Sequence, residues 1–145
     1  MGECGENRLQ RQSKIAVNVN MKIVKKPWGK ETWFAHTKKY VGKFLFIKKG
    51  HRLSRQYHKI KHETIYTLKG KYIMELSCLA KSSLRSEKIM KEGSVIVIPP
   101  KKIHRMYAKF CDVTLLEVST PEVWDVVRLE DDYGRTQIVA DKKCR

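Results

Sequence analysis

The chain has 145 residues, enough for one domain with a single hydrophobic core, and this length excludes a second catalytic domain beside it. Its 31 Lys and Arg residues against 15 Asp and Glu residues give a formal net charge of +16, which favours anionic ligands. The lysines are spread along the chain without an arginine-rich arm or interleaved stacking aromatics, so we expect a solvated basic surface and not a nucleic-acid-binding one.

The N-terminal residues 1–20 are polar and broken by charge, and they show little apolar periodicity. We expect them to form a weakly ordered extension or a swapped strand, with a short strand near residues 15–19, ahead of a single domain over residues 21–145. No segment has the apolar length of a signal peptide or a membrane span. We therefore expect a soluble protein without a membrane partner.

Four cysteines are far apart and form no close C-x-x-C pair, namely Cys4, Cys78, Cys111 and Cys144. This spacing favours neither a disulfide framework nor a zinc ribbon. A reducing, cytoplasmic compartment is the corresponding expectation.

After the N-terminal residues, the apolar runs are short and rich in β-branched and aromatic residues, with turn residues between them. The predicted strands cover residues 32–35, 41–48, 64–68, 72–78, 94–98, 104–108 and 113–118. Helical turns are predicted only within residues 81–92 and 121–129. This pattern is typical of an all-β sandwich or closed barrel.

Polar residues with regular spacing occur in the segment GHRLSRQYHKIKHETIYTLKG, which spans residues 50–70. If this segment is extended like a strand, Gln56 and His58, which are two residues apart, point to the same face. If residues 59–62 form the turn of a hairpin, Glu63 returns opposite His58 and faces the same cavity. Three potential metal ligands then converge within one hairpin.

A second segment, GSVIVIPPKKIHRMYA, places His104 after a strand and a Pro-Pro turn. An antiparallel neighbour would bring its imidazole to the same point as Gln56, His58 and Glu63. Two imidazoles, a carboxylate and an amide oxygen suit one divalent ion of zinc, manganese, iron, nickel or cobalt. Strand alternation also predicts that Arg52 and Ser54, Ile65 and Thr67, and Met106 line this pocket.

These two segments resemble the two motifs of the cupin superfamily, with Gln56 in place of the first histidine of the usual H-x-H, as in the phosphomannose-isomerase branch. The KPWG segment at residues 26–29 and VRLEDDYGR at residues 127–135 extend the resemblance to the type II mannose-6-phosphate isomerase cupin domain, in a stand-alone form. The resemblance implies a double-stranded β-helix, that is, a jelly-roll-like barrel. It also implies a homodimer and a metal-dependent isomerase that interconverts mannose 6-phosphate and fructose 6-phosphate.

In this isomerase hypothesis the metal holds the carbonyl and neighbouring hydroxyl oxygens of the sugar, and a base removes the proton between them. Lys43 matches a lysine position of the family and is one candidate base; a metal-bound hydroxide is the other. Arg52 would hold the phosphate or steady the enediolate, and Arg105 is a second candidate for the phosphate. The DDYGR residues 131–135 are expected to close a turn or the barrel rim.

Two other functions share the same ligand set. An iron or manganese cupin dioxygenase, or a related oxidoreductase, would use the open coordination positions of the metal. A non-catalytic cupin that binds a sugar or anion is favoured by three departures from the family pattern. The E-H-W segment is here Glu63-Thr64-Ile65, the glycine of P-x-G is Lys101, and the closing asparagine is Ala108.

Overall fold

A computed structural model describes residues 18–136, which form eleven β-strands and, within that range, no helix. The strands are β1 (Lys22–Lys26), β2 (Gly29–His36), β3 (Val41–Ile47), β4 (Arg55–Tyr57), β5 (Glu63–Lys69), β6 (Lys71–Cys78), β7 (Lys81–Lys91), β8 (Val95–Ile98), β9 (Lys102–Tyr107), β10 (Val113–Ser119) and β11 (Val127–Glu130). In this part of the chain, no helix is long and apolar enough to cross a membrane.

The strands form two sheets in which every observed pairing is antiparallel. The first sheet has the order β1-β2-β3-β10-β5-β8, and the second has the order β11-β4-β9-β6-β7. Strands that are neighbours in a sheet are often distant in sequence, as β3 and β10 are. This winding brings the two predicted ligand segments together, because β4 pairs with β9 and β5 pairs with β8.

The alternation of side chains along each strand decides what is buried between the sheets. In β10, Val113 and Leu115 are buried while Val118 is exposed, as expected of a strand with one face on a core. The core is a continuous apolar cluster contributed by both sheets. Its largest fully buried side chains include Tyr72, Leu45, Ile47, Ile65 and Met74.

The hairpin between β1 and β2 turns at residues 27–28, and Lys26 pairs with Gly29. Gly29 has φ of +152°, a backbone conformation that residues other than glycine rarely adopt. A Cβ built on Gly29 would lie 1.9 Å from the backbone oxygen of Phe46 on the adjacent strand β3. The position therefore requires glycine for both backbone conformation and space.

The all-β prediction is confirmed, and each of the seven predicted strands overlaps an observed one. The prediction of helical turns over residues 81–92 is wrong, because these residues form β7, which pairs with β6 along almost its whole length. Residues 121–126 do form turns, but no helix follows, and residues 127–130 form β11. Tertiary pairing decided these cases, since neither segment has the apolar alternation of a strand.

Strands β1, β4 and β11 were not predicted, because they are short and mostly polar. The predicted N-terminal extension and its short strand fall largely on residues 1–17, which lie outside the described residues.

Candidate metal centre

A cavity of about 120 Å³ is lined by side chains of both sheets and contains the four predicted metal ligands. We call it the metal-site cavity. Gln56 lies on β4 and His104 on β9, and the two residues are direct partners in the second sheet. Glu63 is the first residue of β5 in the first sheet, and His58 immediately follows β4. The two sheets therefore present these side chains to each other.

The side chains of His58, Glu63 and His104 are buried, with exposed fractions of 5%, 3% and 2%. Oε1 of Glu63 lies 3.3 Å from Nε2 of His58 and 3.1 Å from Nε2 of His104. One ligand atom from each of the three residues lies within 4.8 Å of the others. This is the spacing at which three donors can share one ion.

The other ring nitrogen of each histidine is held by a backbone carbonyl. Nδ1 of His104 donates to the carbonyl oxygen of Lys102 at 2.9 Å, and Nδ1 of His58 donates to the carbonyl oxygen of Asp125. A carbonyl oxygen only accepts, so each Nδ1 is the donor in its contact, and in the neutral ring Nε2 is then the atom that can bind a metal.

Both Nε2 atoms are buried and lack an aligned hydrogen-bond partner among the described residues. The two buried Nε2 atoms and a carboxylate oxygen thus face one another inside the cavity. With neutral imidazoles this set presents three lone pairs to one point and fits a divalent cation. The residues present therefore fit the metal that the sequence predicts.

The fourth predicted ligand, Gln56, lines the same cavity. Its Oε1 accepts a hydrogen bond from Ser54 Oγ at 2.5 Å, which leaves a second lone pair on the amide oxygen. Ser54 and Met106 line the cavity as the strand alternation predicts. Ile65 and Thr67 are fully buried but do not line the cavity.

The turn between His58 and Glu63 is fixed by Asp125. Its carboxylate accepts the backbone N–H groups of residues 59, 60 and 61 at 3.1, 2.6 and 2.8 Å. Burial alone would raise the pKa of Asp125, but these three N–H groups outweigh it and hold the pKa below its usual value. Asp125 thus positions His58 through its carbonyl and Glu63 through the turn.

A buried ammonium group lies beside the ligand cluster. Nζ of Lys61 donates to Glu63 Oε2 at 2.8 Å and to Glu117 Oε1 at 2.7 Å, and all three side chains are at most 5% exposed. Burial lowers the pKa of Lys61, but the charges of Glu117 and Glu63 outweigh burial and raise it. Burial likewise raises the pKa of Glu63, but contacts with His104 and His58 and the charge of Lys61 hold it well below its usual range. Glu63 is therefore a carboxylate at neutral pH.

Lys43 lies at the same cavity, on the inward face of β3. Its Nζ is 3.6 Å from Glu117 Oε1 and 3.8 Å from Glu31 Oε2, and it lies 4.5 Å from the centre of a Trp33 ring. The indole N–H of Trp33 donates in turn to Glu31 at 2.8 Å. The ammonium group is thus held at the cavity wall by two carboxylates and an aromatic face.

Arg52 does not lie at the metal-site cavity, contrary to the sequence prediction. Its Nε and Nη2 donate to the two carboxylate oxygens of Asp132 at 2.6 and 3.0 Å, and it lines a separate depression with Glu75 and Arg105. The prediction assumed that the strand alternation of side chains continues from Gln56 back to Arg52. The strand begins only at Arg55, and the consecutive residues Leu53 and Ser54 both line the cavity, so the alternation does not extend back to Arg52.

Arg105 is also directed away from the cavity, since it lies next to His104 on β9 and therefore on the opposite face. It contacts Glu130 and the carbonyl oxygen of Leu53. The DDYGR segment forms a turn in which Arg135 and Asp131 make a bidentate pair at 3.0 and 2.7 Å. Arg135 lines the cavity.

Sequence reasoning missed six described charged residues that line the cavity, namely Lys26, Glu31, Lys61, Glu117, Arg128 and Arg135. Glu117 had a visible signal, because it follows Val113 and Leu115 at the inward positions of β10. A charge at an inward position of an apolar strand indicates a buried, paired group. Lys61 had none, since it lies in a turn where exposure is the rule.

The Lys101 position, where the related pattern has glycine, has φ of +67°. Its backbone N–H donates to the carbonyl oxygen of His58 at 2.6 Å. The turn between β8 and β9 is thereby tied to the hairpin that carries His58 and Glu63. The departure from glycine leaves this backbone contact in place.

A family model described as mannose-6-phosphate isomerase C-terminal matches residues 12–131. Among solved structures, the chain is similar to the capsular polysaccharide assembling protein CapF from Staphylococcus aureus, with 17% identity and a TM-score of 0.68 over 79% of this chain and 35% of that one. KdgF from Halomonas sp. has 17% identity and a TM-score of 0.59 over 71% of this chain and 86% of that one.

Oxalate decarboxylase from Bacillus subtilis, a protein with Mn(II) centres, has 17% identity and a TM-score of 0.63 over 74% of this chain and 30% of that one. The chain thus spans about a third of the length of CapF. No curated protein sequence matches the chain significantly.

Proposed function

The chain belongs to the mannose-6-phosphate isomerase C-terminal family and has the cupin fold, and from this premise we propose that it is a metal-dependent isomerase of phosphorylated aldoses and ketoses, of the mannose 6-phosphate type. One observation carries the proposal. The Nε2 atoms of His58 and His104 and Oε1 of Glu63 converge within 4.8 Å of one another, buried in a cavity that also holds Lys43.

His58, Glu63 and His104 would hold the metal, with Gln56 as a fourth ligand. A divalent ion bound there would polarise the carbonyl and the adjacent hydroxyl of the open-chain sugar. Contacts within the chain hold these ligand side chains in position. Carbonyl oxygens of Asp125 and Lys102 fix the two imidazoles, and Lys61 holds one oxygen of Glu63 so that the other is left for the ligand position.

Isomerisation moves a proton between the two carbons that carry these oxygens, so the cavity must supply a group that accepts a proton and returns it. We propose Nζ of Lys43 for this role because it lies at the cavity wall. It would enter the step as the neutral amine and leave it as the ammonium group that Glu117 and Glu31 contact. Arg52 has no part in this proposal, since its guanidinium is engaged by Asp132 outside the cavity.

We also infer a homodimer. The outer face of the first sheet carries exposed apolar side chains on β5 and β8, among them Tyr66, Val95 and Val97. Such a face is suited to contact with a second copy of the chain. Sedimentation equilibrium that gives the mass of a monomer at micromolar concentration would contradict this.

The test of the isomerase combines metal analysis with turnover on the same samples. Wild-type protein is compared with His58→Ala and His104→Ala, and with His62→Ala as a matched control, because His62 is exposed and lies outside the cavity. We expect about one metal per chain in wild type and control, and loss of the metal in the other two variants. Conversion of mannose 6-phosphate to fructose 6-phosphate should be lost together with the metal.

Each result has a definite reading. Bound metal without turnover, together with oxygen consumption, would reject the isomerase in favour of an oxidoreductase. No bound metal after loading with zinc, manganese, iron, nickel and cobalt in turn would reject the metal centre itself. Retention of metal by both histidine variants would place the ion elsewhere.

A further inference from the structure

Five cationic side chains line the metal-site cavity, and four of them have a carboxylate partner. Lys61 pairs with Glu63 and Glu117, Lys43 with Glu117 and Glu31, Lys26 with Glu31 at 3.6 Å, and Arg135 with Asp131 at 2.7 Å. The fifth is Arg128. Within residues 18–136, its guanidinium forms no ion pair with a carboxylate.

Arg128 faces the cavity because of its position in the second sheet. It lies on β11 and pairs directly with Gln56 on β4, which pairs in turn with His104 on β9. Residues that are direct partners across a sheet point to the same face. Arg128, Gln56 and His104 thus form one row that faces the cavity interior.

Among the described residues, Arg128 has no carboxylate in ion-pair contact, although the side chain is partly buried. Its Nε is buried and has no hydrogen-bond partner among the described residues. Burial lowers the pKa of Arg128, and the charge of Arg135 lowers it further, against the opposing effects of Asp131 and Glu31. A guanidinium still remains charged at neutral pH, so the site holds a partly buried cation with an unpaired Nε–H donor.

A buried donor without a partner costs free energy unless a ligand satisfies it. The other four cations are neutralised by the protein, and a divalent metal would add further positive charge to the cavity. An anionic group of the ligand is the complement that this arrangement lacks. Guanidinium binds phosphate oxygens through two parallel N–H donors, which makes phosphate the matching group.

Resting on the isomerase proposal, we infer that Arg128 binds the phosphate of the sugar phosphate on the β11 side of the cavity, one strand beyond Gln56. Gln56 and Arg128 are adjacent in the sheet, so one ligand with a metal-binding end and an anionic end contacts both. Arg128 thereby takes the role that the sequence assigned to Arg52.

The test uses two probes that cannot isomerise, mannitol 6-phosphate and mannitol, which differ only in the phosphate. Their dissociation constants are measured by calorimetric titration of the metal-loaded protein. Arg128→Gln should weaken the binding of mannitol 6-phosphate about 10- to 100-fold, which is the range for loss of a hydrogen bond to a charged group. It should leave the dissociation constant of mannitol unchanged. Arg128→Lys keeps the charge but loses the two-donor geometry and should give an intermediate loss.

Lys88→Gln is the matched control for loss of one positive charge, because Lys88 is exposed on β7 and lies outside the cavity. It should bind both probes as wild type does. Metal content and thermal unfolding are recorded for every variant, and Arg128→Lys serves as the reporting variant if Arg128→Gln does not fold. An equal loss of mannitol 6-phosphate binding in Arg52→Gln, without loss in Arg128→Gln, would overturn the inference.

The outcomes separate this inference from the isomerase proposal. Binding of mannitol 6-phosphate that depends on Arg128, without turnover of mannose 6-phosphate, would reject the isomerase and retain the phosphate site. Turnover with an unchanged KM in Arg128→Gln would retain the isomerase and reject the phosphate site. Binding of glucuronate that depends on Arg128, with no such binding of mannitol 6-phosphate, would reject phosphate in favour of a carboxylate.

Discussion

Substitution of Lys61 tests how much the buried charge cluster beside the candidate metal ligands contributes to stability. Its ammonium group lies 2.8 Å from Glu63 and 2.7 Å from Glu117, and the residue is only 4% exposed. Lys61→Met would retain most of the side-chain volume but leave two buried carboxylates without their shared cation. Removing one partner from a buried ion pair typically costs about 3–5 kcal/mol.

The structure also sets an upper limit on this cost. The two carboxylates can avoid repulsion if one of them takes up a proton, and protonation of an ordinary glutamate at pH 7 costs about 4 kcal/mol, at about 1.4 kcal/mol per pH unit. We therefore expect a loss of about 3–4 kcal/mol at pH 7, which corresponds to a fall in Tm of roughly 6–16 °C for a chain of this size.

The same reasoning fixes the direction of the pH dependence. In Lys61→Met the protonated glutamate has a folded-state pKa above its unfolded value, so the stability linked to its proton is lost as the pH rises. The destabilisation relative to wild type should thus shrink to about 1 kcal/mol at pH 5 and grow towards pH 7.

The assay is urea unfolding at pH 5, 6 and 7 in the presence of a chelator, so that bound metal does not contribute. Lys59→Met is the matched control, since Lys59 is exposed two residues earlier in the same turn. The double variant Lys61→Met with Glu117→Gln should recover much of the loss, because it removes one of the two carboxylates. Wild-type stability of Lys61→Met at pH 7, or a loss independent of pH, would refute the reasoning.

Two further predictions concern the positioning of the site and the first hairpin. Asp125→Ala should lower the free energy of unfolding by about 1.5–3 kcal/mol at pH 7, because the N–H groups of residues 59–61 lose a charged acceptor. The folded-state pKa of Asp125 is lowered, so the stability difference between wild type and Asp125→Ala is present above about pH 4 and fades as the pH falls through the folded-state pKa. Equal stability differences in urea unfolding at pH 7 and pH 3 would contradict this prediction. Gly29→Ala should cost roughly 3 kcal/mol or more, since its Cβ would collide with the Phe46 carbonyl, whereas Gly93→Ala has open space and should cost about 1 kcal/mol. Thermal unfolding that shows equal losses in the two glycine variants would contradict this.

The residues that line the candidate metal site were predictable because the signal for most of them is local. Gln56 and His58 are two residues apart, and Glu63 follows within the same hairpin, so their common face depends on strand geometry alone. His104 required one further step, the pairing of its strand with β4, and that pairing is observed. The fold class followed from short alternating runs separated by turn residues.

Local spacing could not predict which arginine lines the cavity. Alternation carries information only while the chain stays in a strand, and it ended at Arg55, so Arg52 came to lie outside the cavity. Arg128 lies 72 positions after Gln56 but is its direct neighbour in the sheet, and no local pattern shows that pairing. Lys81–Lys91 similarly became a strand because β6 was available to pair with it.

The sequence by itself therefore determined the all-β class, seven of the eleven described strands, the cupin resemblance and the four candidate metal ligands, because chemical type and short-range spacing are sufficient for these. Only the tertiary structure decided which charged groups share the cavity. Within residues 18–136, it placed Lys61 beside Glu117 of β10 and left Arg128 of β11 without an ion pair, since both outcomes depend on segments that are distant in the chain. These positions affect both stability and binding. A charge that is removed from water costs free energy unless it finds a partner in the protein or in the ligand.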